Sequence, residues 1–491
     1  MQTVKFPQSR CSAGVTRRDI TPPVGIYHRM WGAATHDRST GIHRPLTTTI
    51  LFMQPDDSQA ATAPVVFVAV DHCLLWNREM NELLDRVSES SGIKRSQIIV
   101  FFSHTHAAGL MGHERVDLPG GELIPQYLAD VADAISDGIR EASDKVQPSV
   151  LTYGTGRCSL ATNRDFKDET LGKYVCGFNS DGQADDAVGV VRIAKAADHS
   201  TLATVVNYAC HPTTLAWDNT LISPDYPGAM REVVETATDA PCFFIQGASG
   251  DIGPRHGFVG DTAVADRNGR QLGYAVLSTL EDLPPVDTQM TYQGAVISGA
   301  TIGSWDYEES SPAQRDQATF WRENRSEVAL NYRDDLPRRD ELQRETANWQ
   351  AKEAAAVESE DADAARDARA MIERMTRRLV RVAHLDDAES YPYPIRLWKM
   401  GDAVWVALDG EHYNVLQRNL RERFAGTPLI IGTLANGSDV WYLPDENSYG
   451  KGLYQEDASI LAKGSLEKLE AVLTDRIEEI LKTGESNKDR E

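Results

Sequence analysis

The segment SQIIVFFSHTHAAG, residues 96–109, combines a core-forming pattern with two histidines. Its apolar run IIVFF, between polar neighbours, predicts a buried strand. His104 and His106 follow directly where this strand ends. Side chains at such a position are either a polar strand terminus or part of a site, because α/β proteins place their sites at strand ends. The His-X-His pair alone leaves both interpretations open.

Strand-like and helix-like segments alternate around this run, from about residue 48 to about residue 280. This alternation predicts an α/β fold with a mixed sheet core and flanking helices. The predicted strands are TTTILFM, APVVFVAVD, SQIIVFF, LATVVNYAC and CFFIQGASG. The predicted helices are REMNELLDRVSESSG, which stops at Gly92, and IPQYLADVADAISDGIREAS.

A different composition, rich in Ala, Glu, Arg and Asp, occupies residues 311–385. Apolar residues recur there at helical spacing and Pro337 interrupts them, so we predict two or three helices in a charged, antiparallel insertion. The α/β domain then consists of residues 1–310 and 386–491. After the insertion, PIRLWKMGDAVWVALDGE and PLIIGTLANG predict strands and residues 465–482 predict a helix, whereas we expect the tail GESNKDRE to be disordered.

The composition is that of a globular protein of 491 residues, with 41% hydrophobic and 25% charged residues. The net charge of -23 repels phosphate backbones and anionic lipids, so we expect a small-molecule substrate and no nucleic-acid partner. The sequence has no apolar run of about 18 residues, and its start, MQTVKFPQSRCSAGV, lacks the apolar core of a signal peptide. We therefore expect no stable membrane insertion and a cytoplasmic location. The six cysteines form no CxxC pair, and we expect them to be small buried side chains.

Polar or ionisable residues follow four apolar runs at the point where each predicted strand stops. These stretches are SHTH, NYACHPTTL, QGASGDIGPRHG and VALDGEHY. Their histidine and carboxylate side chains include His104, His211 and Glu411, which are ligand types that hold catalytic zinc with a position left open. Several such strand ends suggest one shared site.

These motifs and their order along the chain resemble those of the neutral/alkaline non-lysosomal ceramidase family. SHTHAAG is similar to the family's SHTHSGP-type motif, and ACHPTTL and QGASGDIGP are similar to its HPT and Q-x-N-x-G-D-V-S-P elements. GVTRRDITPP, GIHRPL, DGEHY and WYLPDENSYGKGLYQE also resemble family segments. The resemblance covers about residues 11–260 and 390–460.

The resemblance implies a zinc-dependent hydrolase domain that cleaves an N-acyl amide bond. The zinc ligands that it implies are His104, His211, Glu411 and Tyr442. The catalytic residues that it implies are His106, facing the reacting carbonyl, Arg164 and Tyr449. Considered without the resemblance, an aromatic residue such as Tyr442 after a strand is more often part of the core.

The sequence departs from the family pattern in three places. Gly253 stands where the family has a catalytic serine. The family's T-T-P-E-E stretch is reduced to LPDEN. We also expect no counterpart of the family's immunoglobulin-like C-terminal domain. We therefore expect attack by zinc-bound water on an amide, or an ester, of a soluble substrate. In that mechanism His106 would donate a hydrogen bond to the oxyanion or protonate the leaving group. Arg164 would bind a carboxylate or hydroxyl of the substrate. Asp251 would either orient a ligand histidine or cap the glycine-rich turn.

Two other functions remain open from the sequence. One is a zinc-dependent carbohydrate-active enzyme that cleaves a glycoside or acyl-sugar, for which Trp31, Trp217 and Trp441 could stack on sugar rings. The other is a non-catalytic protein that binds zinc or a ligand and lost activity with the serine. The helical insertion lies between Gly253 and Glu411 in sequence, so we expect it beside the site mouth. The alternative is a remote hairpin through which the chain forms a homo-oligomer.

Overall fold

The computed structural model describes residues 2–56, 63–383, 385 and 388–482, so the tail expected to be disordered lies outside the described residues. The helices in these ranges are α1 Asn77–Ser91, α2 Ile124–Asp144, α3 Tyr226–Thr238, α4 Thr262–Asp282, α5 Pro312–Ala318, α6 Arg339–Glu358, α7 Ala362–Val382, α8 Asn414–Arg423, α9 Tyr454–Ala458 and α10 Ser465–Lys482. The strands are β1 Thr3–Val4, β2 Gln8–Asp19, β3 Gly41–Ile42, β4 Thr47–Gln54, β5 Val65–Val70, β6 Ile98–Phe102, β7 Gln147–Arg157, β8 Ala161–Asn163, β9 Asp165–Asp168, β10 Lys173–Cys176, β11 Ala187–Lys195, β12 Thr201–Tyr208, β13 Leu221–Ile222, β14 Cys242–Gln246, β15 Ile252–Pro254, β16 Thr288–Ile297, β17 Thr301–Glu309, β18 Trp321–Asn331, β19 Ser390–Met400, β20 Ala403–Leu408, β21 Glu411–His412, β22 Leu429–Gly432 and β23 Tyr442–Leu443.

Two mixed sheets form the core. The large sheet has the order β14-β12-β11-β7-β2-β4-β5-β6, with parallel pairs at both edges and antiparallel pairs between them. The small sheet has the order β18-β19-β20-β22 and ends in the parallel pair β20/β22. Alternating residues of β4, β5 and β6 point to opposite faces of the large sheet, so that each face buries its own apolar set.

The sheets and helices stack in four layers. The small sheet packs on one face of the large sheet, where the Phe67 ring stacks on Trp405 at 5.2 Å and meets Trp398 edge-on at 5.3 Å. Helices α1 to α4 cover the other face of the large sheet, and α8 and α10 cover the outer face of the small sheet. The predicted α/β fold with a mixed sheet core and flanking helices is confirmed.

The edge strands of the large sheet approach each other at the small sheet. Cα atoms of β6 and β14 come within 8 Å, although these strands are the two ends of the sheet order. Gly432 of β22 lies between them: a Cβ there would be 2.3 Å from the Phe101 ring and 2.8 Å from Ile245. A residue without a side chain thus lets β22 cover this gap, and the curvature brings distant strand ends to one place.

Most predicted elements agree with the structure. Helix α1 ends at Gly92, which adopts φ 74°, and α10 spans the predicted residues with its apolar stripe buried. The cysteines are free; five are buried and Cys176 is exposed. No helix within the described ranges has the length and apolar character needed to cross a membrane.

The range 311–385 contains three helices, α5, α6 and α7, but the helical prediction is wrong for the segment between α5 and α6. Trp321–Asn331 is a strand, β18, which pairs along its whole length with β19. The polar composition obscured a strand whose buried residues include Trp321, Val328 and Leu330 and whose other positions are more exposed. The antiparallel helices are α6 and α7, which makes 339–382 the helical hairpin. Treating this hairpin as an insertion in the α/β domain formed by 1–310 and 386–491 stays a prediction.

Candidate metal centre

Strand ends of both sheets bring the four predicted ligands together. His104 follows β6 and His211 follows β12, both in the large sheet. Glu411 begins β21, just after β20 of the small sheet, and pairs in parallel register with Tyr442 of β23. The site therefore depends on the packing of one sheet against the other.

Two imidazoles and a carboxylate converge in the buried centre of this site. His104 Nε2 lies 2.9 Å from His211 Nε2 and 3.2 Å from Glu411 Oε2, and His211 Nε2 lies 3.4 Å from the same oxygen. His104 Nδ1 lies 2.7 Å from the carbonyl of Cys73, and His211 Nδ1 lies 3.1 Å from the carbonyl of Ser249. Since a carbonyl only accepts, the Nδ1 of each ring carries a proton and donates it. Despite the burial of His104, Cys73 and Glu411 hold its pKa well above the usual value when no cation is bound. When both rings are neutral, each Nε2 presents a lone pair to the other and to the carboxylate.

This donor set fits a metal ion. Three acceptor atoms facing one another repel unless a cation or a shared proton lies between them, and Glu411 Oε2 has no hydrogen-bond partner among the described residues. The three ligand atoms lie within 4.8 Å of one another. Neutral imidazoles held through Nδ1 by carbonyls, together with a carboxylate, are the ligands and supporting contacts of catalytic zinc sites.

Tyr442 and Arg164 border the same centre. The Tyr442 ring lies parallel to the His211 ring, with 6.5 Å between centroids. Arg164 Nη2 donates to the Tyr442 hydroxyl at 3.1 Å and to the Gly250 carbonyl at 2.7 Å. Burial, reinforced by the nearby Glu411 carboxylate, holds the pKa of the Tyr442 phenol well above its usual value. The structure thus places Tyr442 against the cluster, with its hydroxyl oriented by Arg164.

His106 lies beside the cluster because the chain bends at His104. His104 has φ 67°, in the left-handed region, and the two rings are 4.9 Å apart and perpendicular. Neither ring nitrogen of His106 has a hydrogen-bond partner within the described part of the chain. Burial, with His104, Arg164 and Arg377 nearby, holds the pKa of His106 well below its usual value. His106 is therefore a neutral imidazole at neutral pH, with one N–H and one lone pair free.

Gly253 lies close to the site and has space beside it. A Cβ at this position would be 3.8 Å from His211 Cβ, 3.8 Å from Arg164 Cδ and 3.6 Å from Thr213 Oγ1, which are ordinary contacts. The nearest serine in this segment, Ser249, accepts a hydrogen bond from Gln246 Nε2 through its hydroxyl at 2.6 Å. The position of the family's serine therefore presents no hydroxyl to the cluster, and the Ser249 oxygen is engaged by Gln246.

Two residues that the sequence suggested for the site, Tyr449 and Asp251, form hydrogen bonds with other groups. The Tyr449 hydroxyl donates to the Leu461 carbonyl at 2.9 Å, and no contact with the cluster is present among the described residues. A different tyrosine, Tyr454, has its ring 5.7 Å from that of Tyr442. The Asp251 carboxylate accepts from the backbone N–H and the side-chain amide of Asn414, at the start of α8. Asp251 thus anchors a helix and contacts neither ligand histidine.

Helix α7 of the hairpin lies beside this site. The sequence suggested this position for the insertion but left a remote hairpin open. Arg377 donates to the Met30 carbonyl, and the ring of the next residue, Trp31, lies 5.2 Å from His106. The Arg381 guanidinium lies 3.9 Å from the centre of the Trp441 ring, next to Tyr442. Sequence reasoning missed both arginines, because their helix faces looked like solvated charge.

Comparison with known proteins agrees with this arrangement. Residues 12–258 match the family described as "Neutral/alkaline non-lysosomal ceramidase, N-terminal", which is half of the chain. The protein is thus a hydrolase of the class that acts on amide bonds. It belongs to the neutral/alkaline non-lysosomal ceramidase family.

Solved structures share the fold. The neutral ceramidase from Pseudomonas aeruginosa is 14% identical, over 96% of this chain and 74% of that chain, with a TM-score of 0.61. A ceramidase complexed with C2 is also 14% identical, over 96% of this chain and 76% of that chain, with a TM-score of 0.62. No curated protein matches the sequence. The structural similarity shows a shared fold and leaves the substrate open.

Proposed function

We propose that this protein is a zinc-dependent hydrolase that cleaves an N-acyl amide bond, or an ester, in a soluble substrate. One observation carries the proposal. The Nε2 atoms of His104 and His211 and the Oε2 atom of Glu411 converge within 3.4 Å of one another, and none of them carries a proton when both rings are neutral and the carboxylate is ionised. Such a set of acceptors would suit a cation, and family membership supports the reaction class.

The proposed metal would be held by His104, His211, Glu411 and, on its border, Tyr442. A zinc ion in this position would supply Lewis acidity to a substrate carbonyl and acidify a water molecule. The hydrogen bonds to the carbonyls of Cys73 and Ser249 would keep both Nε2 atoms available to such an ion.

His106 is the residue best suited to move a proton in the reaction. Its neutral ring can donate its N–H to the oxygen of the carbonyl or accept a proton for the leaving nitrogen. Trp31 packs against its ring and restricts its orientation. Arg164 holds the Tyr442 hydroxyl and places a fixed positive charge beside the cluster, where negative charge develops on the carbonyl oxygen.

Water is the proposed nucleophile because no serine stands at the position of the family's catalytic serine. Gly253 has no side chain, and the Ser249 hydroxyl is bonded to Gln246. A hydroxyl displaced by several ångströms would not reach a carbonyl held at the cluster. Direct attack by water also needs no acyl-enzyme intermediate.

A panel of N-acyl amides, esters and glycosides tests the function, with His106→Gln as the informative variant. We expect wild type to hydrolyse amides, and we expect His106→Gln to lose about 10²–10⁴-fold in kcat while binding the same amount of zinc. Turnover by the wild type that survives complete removal of metal would contradict the proposal. Cleavage of glycosides alone would favour the carbohydrate-active alternative, and zinc binding without any turnover would favour a binding protein.

One observation bears on the carbohydrate-active alternative. Trp441 is enclosed between Trp76, stacked at 4.8 Å, and the Arg381 guanidinium, so neither face of its ring is open to a sugar. Trp217 is 37% exposed and lies edge-on to Trp31, 6.1 Å away. Of the three predicted stacking residues, Trp217 is thus exposed and Trp31 is partly buried, whereas Trp441 has no ring face open to a sugar. Trp441 therefore gives no support to the carbohydrate-active alternative.

A further inference from the structure

Helix α7 carries two arginines without a carboxylate partner on the side that faces the candidate site. Arg377 and Arg381 are four residues apart and therefore share a face of the helix. Their neighbours Arg374 and Arg378 both pair with Asp457. No ion pair of Arg377 or Arg381 with an acidic residue occurs in the part of the chain that the structure describes. The pattern is unusual in a chain of net charge -23, where acidic partners are in excess.

Only some of the hydrogen-bond donors of the Arg377 guanidinium have an acceptor in the described part of the chain. One of its Nη atoms donates to the Met30 carbonyl, whereas its buried Nε has no partner among the described residues. The nearest acid one turn earlier, Glu373, already accepts from the Tyr27 hydroxyl at 2.7 Å and from Arg115 at 3.2 Å. Arg377 thus keeps donors available at a position next to the Trp31–His106 contact.

Arg381 is more deeply buried and also lacks an acceptor. Its residue is 4% exposed, its guanidinium stacks on Trp441, and its Nε has no partner within the described residues. It lines a cavity of about 210 Å³ together with two ion pairs, Arg378 with Asp457 and Arg333 with Asp335, so both carboxylates of this cavity already have a partner. A buried charge without a counter-ion is costly, so stacking alone is weak compensation for its desolvation.

The two arginines connect to the site through adjacent residues. Arg377 bonds Met30, whose neighbour Trp31 packs on His106, and Arg381 stacks on Trp441, whose neighbour Tyr442 borders the metal cluster. An anion bound by these arginines would therefore lie next to Trp31 and Trp441, whose neighbours include His106 and Tyr442. Planar guanidinium groups with free N–H donors are suited to carboxylate recognition.

We propose that Arg377 and Arg381 bind an anionic group of the substrate, so that the substrate is an acidic N-acyl compound, of which an N-acyl amino acid is the simplest. The inference rests on the proposed hydrolase function and goes beyond it by naming a substrate class. It assigns to the helical hairpin the role of supplying specificity.

Matched substrates test the proposal on the full-length protein with its metal. Release of octanoate is measured from N-octanoyl-phenylalanine and from the uncharged N-octanoyl-phenylalaninamide. We expect wild type to prefer the acid by at least about tenfold in kcat/KM, because a hydrogen bond to a charged group contributes more than one to a neutral group. Arg377→Met and Arg381→Met should each raise KM for the acid about 10- to 100-fold and change kcat/KM for the amide less than about threefold.

Two further variants separate anion recognition from general effects of charge or packing. Arg374→Met removes a charge of the same helix that pairs with Asp457, and it should leave both substrates unaffected. Arg377→Lys keeps the charge and should recover part of the preference for the acid. Equal hydrolysis of acid and amide by wild type, or equal losses for both substrates in the Arg377 and Arg381 variants, would overturn the inference.

Binding measured without turnover distinguishes this inference from the proposed function. The shift in Tm caused by N-octanoyl-phenylalanine is compared with that caused by its amide, in wild type and in both methionine variants. A larger shift for the acid that disappears in the variants supports the arginine pair even if no substrate is hydrolysed, in which case the hydrolase function fails alone. Equal shifts for acid and amide in wild type contradict the arginine pair even if amides are hydrolysed.

Discussion

The hydrogen bonds of two histidines support the metal site more strongly than the identity of its ligands does. Because His104 and His211 each donate Nδ1–H to a main-chain carbonyl, both Nε2 atoms face Glu411, and neutral rings would face it as acceptors. The resemblance of short motifs suggested these three residues and Tyr442, and the structure brings all four together. Neither supporting carbonyl could be identified in advance, since any residue type can supply one.

The serine nearest Gly253 in the sequence should be dispensable. We expect Ser249→Ala to keep at least about half of the wild-type kcat/KM, because its hydroxyl is bonded to Gln246 and effects away from the reacting atoms are small. Mass spectrometry of the quenched enzyme should show no acyl adduct, and oxygen-18 from water should enter the product in a single turnover. Trapping an acyl group on any serine would contradict attack by water.

Gly250, in the turn, and Gly253, in the following strand β15, should differ in their tolerance of a side chain. Gly253→Ser should fold with little change in Tm, because its Cβ would meet only contacts of 3.6 Å or more. Gly250→Ala should lower Tm and weaken zinc binding, because its Cβ would lie 2.7 Å from the Glu411 carbonyl and 2.9 Å from that of His412. Thermal unfolding and zinc titration of both variants check this; equal tolerance would mean that the turn is not held against Glu411.

At the scale of elements, the attachment of helix α8 should depend on the protonation of one buried acid, Asp251. Burial raises the pKa of Asp251 to about 7, above the value of about 3.9 expected in the unfolded chain. Between these two pH values the folded chain therefore binds more protons at Asp251 than the unfolded chain does. The stabilisation that protonated Asp251 gives the folded state is present below about pH 4 and is lost as pH rises through about 7. Asp251→Asn should make the urea midpoint less dependent on pH between about 5 and about 8. An unchanged pH dependence would mean that Asp251 does not titrate in this range.

The elements that the sequence predicted well are those with a clear hydrophobic period. Strands such as β5 and β6 are continuous apolar runs, and α10 has an uninterrupted apolar stripe. Strand β18 was missed because charged residues separate its buried positions. The approach of β6 to β14 and the position of α7 beside the site depend on how the layers pack, which no local pattern records. The anionic-substrate inference depends on α7, so it could not be reached from the sequence.

For the whole molecule, the metal should act as a link between the two sheets. His104 and His211 come from the large sheet, whereas Glu411 and Tyr442 follow a strand of the small sheet. A ligand that binds only the folded state stabilises it by about 4 kcal/mol at a thousandfold excess over Kd. Chelation should therefore lower the Tm of wild type, and zinc should restore it. His104→Ala should show the lower Tm from the start, with no response to chelator; a wild type insensitive to chelation would contradict this link.

Zinc content decides whether the buried cluster is a metal site. Elemental analysis of protein purified without added metal should give about one equivalent of zinc per chain for wild type. His104→Ala and His211→Ala should give much less, because losing a ligand costs more than the 10- to 100-fold in affinity typical of its supporting contacts. Less than about a tenth of an equivalent in wild type, with no gain when zinc is added, would contradict the metal site and the hydrolytic mechanism built on it.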